Sequence, residues 1–188
     1  MAMFMPTARY TARMVRAHIQ EGRSWPRYEV VHGELLVTPA PAPIHQLLAA
    51  RLFELLLPYL RSYAPDLTLW FSPADISWND ETLVQPDLFV VPKAEVSATW
   101  NTFKKLTLAV EIISPSSARA DRVVKRRLYQ EQLVPTYWVV DPDSRIVEVW
   151  HPEADRPQVV TDELRWRAHQ KPPELLIDLG ILFANLPH

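Results

Sequence analysis

The sequence predicts a mixed α+β fold in which a mixed central β-sheet is flanked by α-helices. Apolar residues recur at helical spacing from Ile44 to Tyr63. Short β-rich runs are bounded by Gly, Pro and Asp, and a strand–helix–strand unit runs from Leu106 to Val140. At 188 residues, with 48% hydrophobic and 22% charged, the chain fits one domain with a real core. The expected organisation is one domain over 1–188, with an N-terminal helical stretch in 1–24 and the characteristic core in 25–182.

Thr7 is placed to cap a first helix that runs to about Gln20, with Gly22 as its stop signal and Met14, Val15 and Ile19 on one side. The runs Tyr28–Val31 and Glu34–Thr38 flank His32-Gly33, a two-residue connection suited to a hairpin. The tract from Thr38 to Pro43 is a connector, because its prolines lack donors and fix the backbone. A long core helix follows, with Ile44, Leu47, Leu48, Leu52, Leu55, Leu56 and Tyr59 at helical intervals.

Strands are expected at about Leu67–Phe71, Ile76–Trp78, Leu83–Val91 and Leu106–Ile113. Ser114-Pro115 then opens a helix to about Leu133, with Ser at the cap and Pro in the first turn. Thr136–Val140 reads as a buried strand, Asp141–Ser144 as a turn and Ile146–Trp150 as the hairpin partner. Gln158–Thr161 and Leu175–Asp178 are two shorter strand candidates.

Composition narrows the chemistry. The absence of cysteine excludes disulfides, thiolate catalysis and cysteine-ligated metals, so any metal must use oxygen or imidazole. No apolar stretch approaches the ~20 residues that cross a bilayer. The opening MAMFMPTARYTARMV lacks the layout of a secretory signal, which makes the cytoplasm the expected location. A net charge of -2 argues against coating nucleic acid through bulk positive charge and leaves room for a local basic patch. The patch candidates are Arg119, Arg122, Lys125, Arg126 and Arg127, of which Arg119, Arg122 and Arg126 could meet phosphates or form a solvated face.

Two carboxylates stand where an ordinary core would not place them. Glu111 is the lone charge in the strand Leu106–Ile113, and Asp87 the lone charge in Val84–Val91. An unpaired ion in a protein interior costs several kcal/mol, so each must be protonated, paired or metal-bound. If the strands are neighbours, two like charges ~4 Å apart at an effective dielectric of ~20 repel by roughly 4 kcal/mol. Magnesium, or manganese in its place, resolves that repulsion with one or two carboxylates plus water and phosphate oxygens. The competing reading is that each acid pairs with an arginine.

Lys125 lies four residues after Asp121 and four before Tyr129, so the three share one helix face that can lean over the carboxylates. Lys125 could then neutralise charge on a phosphate or position water; alternatively it forms an ordinary Asp-to-Lys helix pair. His32 and His45, on different elements, make a weak case for zinc. Glu34 is either a third acid of the site or an exposed strand residue.

Glu111-Ile-Ile-Ser-Pro-Ser-Ser117, then Asp121, Lys125 and Tyr129, then Val134-Pro-Thr-Tyr-Trp-Val-Val-Asp-Pro142 and Val147-Glu-Val149 form an ordered pattern. Tyr28-Glu-Val-Val-His-Gly-Glu34, His45 and Gln85-Pro-Asp87 extend it. It resembles the Uma-two family of restriction-endonuclease-like proteins, over roughly residues 25 to 182. The resemblance implies the PD-(D/E)xK nuclease fold, a mixed sheet between helices with a metal site at the strand edges. It implies Asp87 and Glu111 as metal-binding acids, Glu34 as an additional acid, and DNA as substrate. The family lysine two residues after the second acid is here Ile113, so Lys125 on the next helix would supply the ammonium.

Two functions follow: a magnesium-dependent endonuclease hydrolysing DNA, or a catalytically silent nuclease-like fold that binds nucleic acid or a protein. The number of Trp and Tyr residues, 7 and 6, and the symmetry of duplex DNA suggest a homodimer.

Overall fold

The computed structural model describes residues 9–19, 26–96, 103–171 and 173–187. Thr7, Gln20 and Gly22, expected to bound the first helix, lie outside them. Helix α1 spans Ala12–Ile19, and Thr11 is its cap, with the Oγ1 accepting from the Met14 N–H at 3.2 Å.

Strands β1 (Arg27–Val31) and β2 (Glu34–Thr38) pair antiparallel as a separate ribbon. His32 and Gly33 both adopt positive φ, 52° and 80°, the pattern of the tight turn that matches strand twist. Helix α2, Pro43–Tyr63, begins with Pro in its first turn, as that position tolerates.

The main sheet has six strands in the order β3-β4-β5-β6-β7-β8. These are Leu67–Phe71, Leu88–Pro92, Leu108–Ile112, Thr136–Asp141, Ile146–Trp150 and Gln158–Val160. Only β5 and β6 run parallel; every other neighbouring pair is antiparallel. A smaller ribbon pairs β9 (Glu163–Trp166) with β10 (Leu175–Asp178), and a single turn of helix, α4 (Leu179–Leu182), follows. Strand β9 and α4 have no counterpart among the sequence expectations.

Alternation along the strands divides the core in two. Leu88, Val90, Leu108, Val110, Trp138 and Val140 face α2 and the C-terminal ribbon, where Leu48, Leu52, Leu56 and Trp166 meet them. Phe89, Ala109, Ile113, Tyr137 and Val139 face Leu128, Tyr129 and Val31 on the opposite side.

Three expected elements are shorter or altered. The strand expected at Ile76–Trp78 is reduced to a single bridge between Ile76 and Val84. The region from Leu83 to Val91 is a strand only from Leu88. Pro86 has no N–H, and the Gln85 N–H is taken by the Glu29 Oε1 at 2.7 Å, so only the Ile76–Val84 and Val30–Leu83 bridges survive before it. After β5 the helix is not uniform. Ala120–Lys125 is π-helical, the Arg126 N–H reaching back to the Asp121 carbonyl, and α3 proper is Arg126–Glu131. The cap at Ser114 also runs in reverse: the Ser117 hydroxyl accepts from the Ser114 N–H at 3.0 Å.

Candidate active site

In the pairing of β4 with β5, Leu88 lies opposite Val110, so one step further Asp87 falls opposite Glu111. Residues directly opposite share a face of the sheet. Both acids line one cavity of about 280 Å3, Glu111 toward Tyr129 of α3 and Asp87 toward His45 at the start of α2. They are 5% and 2% exposed.

Asp87 is heavily held. Its Oδ1 accepts from Arg27 Nη1 at 3.1 Å, and its Oδ2 contacts His45 Nε2 and accepts from the Ile112 N–H, each at 2.9 Å. Burial pushes its pKa up, but the hydrogen bond and attraction of His45, the Arg27 charge and the Ile112 N–H outweigh that and bring it down to about 2.

Glu111 has the opposite balance. Its Oε1 accepts from Lys125 Nζ at 3.1 Å and from the Tyr129 hydroxyl at 3.0 Å. Burial, then repulsion from Asp121, Asp87 and Glu29, pushes its pKa well above the ordinary value despite Lys125.

Lys125 is the hub of the cluster. Its Nζ lies 2.9 Å from Glu29 Oε2, 3.1 Å from Glu111 Oε1 and 3.2 Å from Asp121 Oδ1. Burial disfavours its charge, yet the three surrounding carboxylates win and raise its pKa well above the usual lysine value. It holds its proton. Asp121 is itself raised, by burial first, and Tyr137 donates to its main-chain carbonyl at 3.0 Å. The arginine reading of the sequence is thus realised in part: Asp87 pairs with Arg27, while Glu111 pairs with a lysine.

The model of the Uma2 family, described as "Putative restriction endonuclease", matches residues 17–180, most of the chain. The chain belongs to this family. No curated protein matches it. Among solved structures, the crystal structure of a putative nuclease belonging to DUF820 from Anabaena variabilis ATCC 29413 is similar with a TM-score of 0.72. The identity is 16%, over 92% of this chain and 98% of that one. The likeness shows the fold, a mixed sheet flanked by helices.

In this Uma2 chain Asp87, Glu111, Lys125, Asp121, Tyr129 and His45 come together, whereas Glu34 does not. Glu34 is exposed at the hairpin tip opposite Val31. Glu29, two residues further from the tip on the same face, is the acid that reaches Lys125, and it is fully buried. The signal was present in the sequence: Glu29 is a lone acid in an apolar strand, as Asp87 and Glu111 are. Arg27 gave no such sign, since an arginine at a strand start is ordinary.

The expected phosphate arginines divide. Arg122 bridges Asp141 at 2.7 Å and Glu148 at 2.6 Å, and Arg126 donates to Gln130 while stacking on Trp150, 4.9 Å from the ring centre. Arg119 and Arg127 are exposed. His32 pairs with Glu131 on the surface, away from His45. Among the described residues, no group of three or more His, Asp or Glu side chains is arranged to hold a metal. Asp87 and Glu111 are the carboxylates of this cavity that could hold an ion, its shell completed by water and substrate oxygens.

Proposed function

We propose that this Uma2 chain is a divalent-metal-dependent endonuclease that hydrolyses DNA phosphodiester bonds at the Asp87–Glu111 pair. The observation that carries this reading is a charge deficit. Four carboxylates, Glu29, Asp87, Glu111 and Asp121, are buried around two permanent cations, Arg27 and Lys125, with His45 against Asp87, which leaves a formal charge of two negatives with a neutral imidazole and one with a charged imidazole. A buried cluster with that imbalance must take up protons or a cation, and one magnesium or manganese ion offsets it.

Asp87 and Glu111 would hold the ion, as hard oxygen donors facing one cavity. When bound, such an ion offsets phosphate charge and makes water more acidic. The chain's own groups do the rest. Lys125, kept protonated by its three carboxylates, supplies positive charge beside the phosphorus as negative charge grows there. Tyr129 fixes the orientation of Glu111 through its hydroxyl. Water adds to phosphorus and gives up a proton to bulk solvent, the P–O bond to the departing strand breaks, and the leaving oxygen takes up a proton from solvent.

Purified protein should cut DNA with magnesium or manganese, and Asp87→Ala and Glu111→Ala should each reduce cleavage at least a hundredfold. Cleavage that survives both substitutions would overturn the mechanism. A specific observation favours the silent-fold reading, the Arg27–Asp87 ion pair standing where an ion would bind. That reading requires nucleic-acid or protein binding with no manganese uptake in calorimetry. Cytoplasmic residence and a homodimer belong to the same proposal; light scattering tests the second.

A further inference from the structure

We infer that the DNA this site accepts is a single strand, with the base beside the reacting phosphate lodged in a second cavity against Phe71; this rests on the proposed nuclease function. The second cavity, about 270 Å3, shares Arg27, His45 and Asp87 with the first. It therefore adjoins Asp87 directly. Each cavity is near the lower end of the ~300–1,000 Å3 range of small-ligand pockets, room for a nucleotide-sized group.

Access argues against a duplex. The two acids lie at the base of a cavity walled by the connector Pro39–Ala42, the turn Ser114–Ser117 and the turn Pro142–Asp143. With Asp87 and Glu111 at most 5% exposed, a phosphate must enter the wall line to reach them. The backbone of a closed duplex is held against its partner strand, while a lone strand can bend inward. Two of the cations that would track a duplex are also committed elsewhere, Arg122 to Asp141 and Glu148, and Arg126 to Gln130 and Trp150, which leaves Arg119 and Arg127 exposed.

The second cavity has the chemistry of a base site. Phe71, on the edge strand β3, is 60% exposed and held edge-on by Phe53, with ring centres 5.6 Å apart. A fixed, exposed ring stacks on any base, and such stacking is the common device of single-strand recognition. The exposed Gln46 amide, also lining this cavity, adds a donor and an acceptor for a base edge.

The test measures binding by fluorescence anisotropy of a labelled single-stranded oligodeoxynucleotide and of the same strand annealed to its complement. Calcium ions replace magnesium to keep both probes intact. The single strand should bind at least tenfold more tightly. Phe71→Ala should weaken single-strand binding about tenfold, in line with the worth of one stacked base, and Phe71→Trp should restore it, both with unchanged thermal midpoints. Equal or tighter duplex binding, binding of neither probe, or a Phe71→Ala variant with wild-type affinity overturns the inference. Cleavage is read separately with manganese: strand-selective binding without cleavage keeps the inference and removes the hydrolytic function, whereas duplex cleavage at equal rate does the reverse.

Discussion

Asp87 and Glu111 line one cavity yet are held in opposite electrostatic states, and acid titration should separate them. Asp87 is brought to about 2 from an ordinary 3.8. It therefore contributes stability above pH 3.8 that is lost as the pH falls toward 2. Glu111 is held above its ordinary 4.5, so the folded chain binds that proton more tightly than the unfolded one. Its contribution is most favourable below 4.5 and declines as the pH rises through the folded value. Without metal, Glu111→Gln should thus raise the thermal midpoint at neutral pH by a few degrees while abolishing any rise produced by manganese. Asp87→Asn should flatten the fall in midpoint below pH 3.8. Midpoints measured across pH with a chelator present check both, and a Glu111→Gln variant less stable than wild type at neutral pH would contradict the charge deficit. Arg27 belongs to the same balance. Because its guanidinium occupies Asp87 Oδ1, Arg27→Gln should tighten manganese binding in calorimetry by roughly tenfold; weaker binding would show that Arg27 supports the ion instead of competing with it.

The hairpin and the π-helical turn are the elements that assemble this cluster, and they differ in how legible they were. The hairpin was readable, because His32-Gly33 between two apolar runs has a specific backbone requirement, met by the two positive φ values. Gly33→Ala should cost about 1–2 kcal/mol, the penalty of a Cβ in left-handed backbone, and lower the midpoint accordingly. An unchanged midpoint would mean that the turn relaxes freely. Which hairpin acid approaches Lys125 is not fixed by the residue pattern: Glu34 and Glu29 share a face, and only packing beneath Lys125 chooses between them. The π turn left no trace in residue spacing, since Asp121, Lys125 and Tyr129 at intervals of four fit an α-helix equally well. Strand β4 was expected too long because apolar content at Leu83 and Val84 signals burial, while hydrogen-bond partners there are decided by Glu29 and Pro86.

On the scale of the molecule, surface charge and aromatic burial bear on what the chain meets. The Trp and Tyr count that suggested a dimer is partly absorbed: Trp138, Trp150 and Trp166 are buried, Trp70 and Trp78 half-buried and Tyr63 exposed, and the remaining two tryptophans lie outside the described residues. The net charge of -2, together with the internal commitment of Arg122 and Arg126, leaves few cations to meet phosphates near the cavity. Binding to a lone strand then depends mainly on one stacked base and a few phosphate contacts. Each phosphate neutralised on single-stranded DNA contributes about -0.7 to the slope of log affinity against log salt, so two or three contacts give roughly -2. A duplex tracked along its backbone would show a much steeper dependence. Anisotropy titrations at a series of potassium chloride concentrations measure the slope directly, and a value several times larger would place the main contact on a basic surface outside the two cavities.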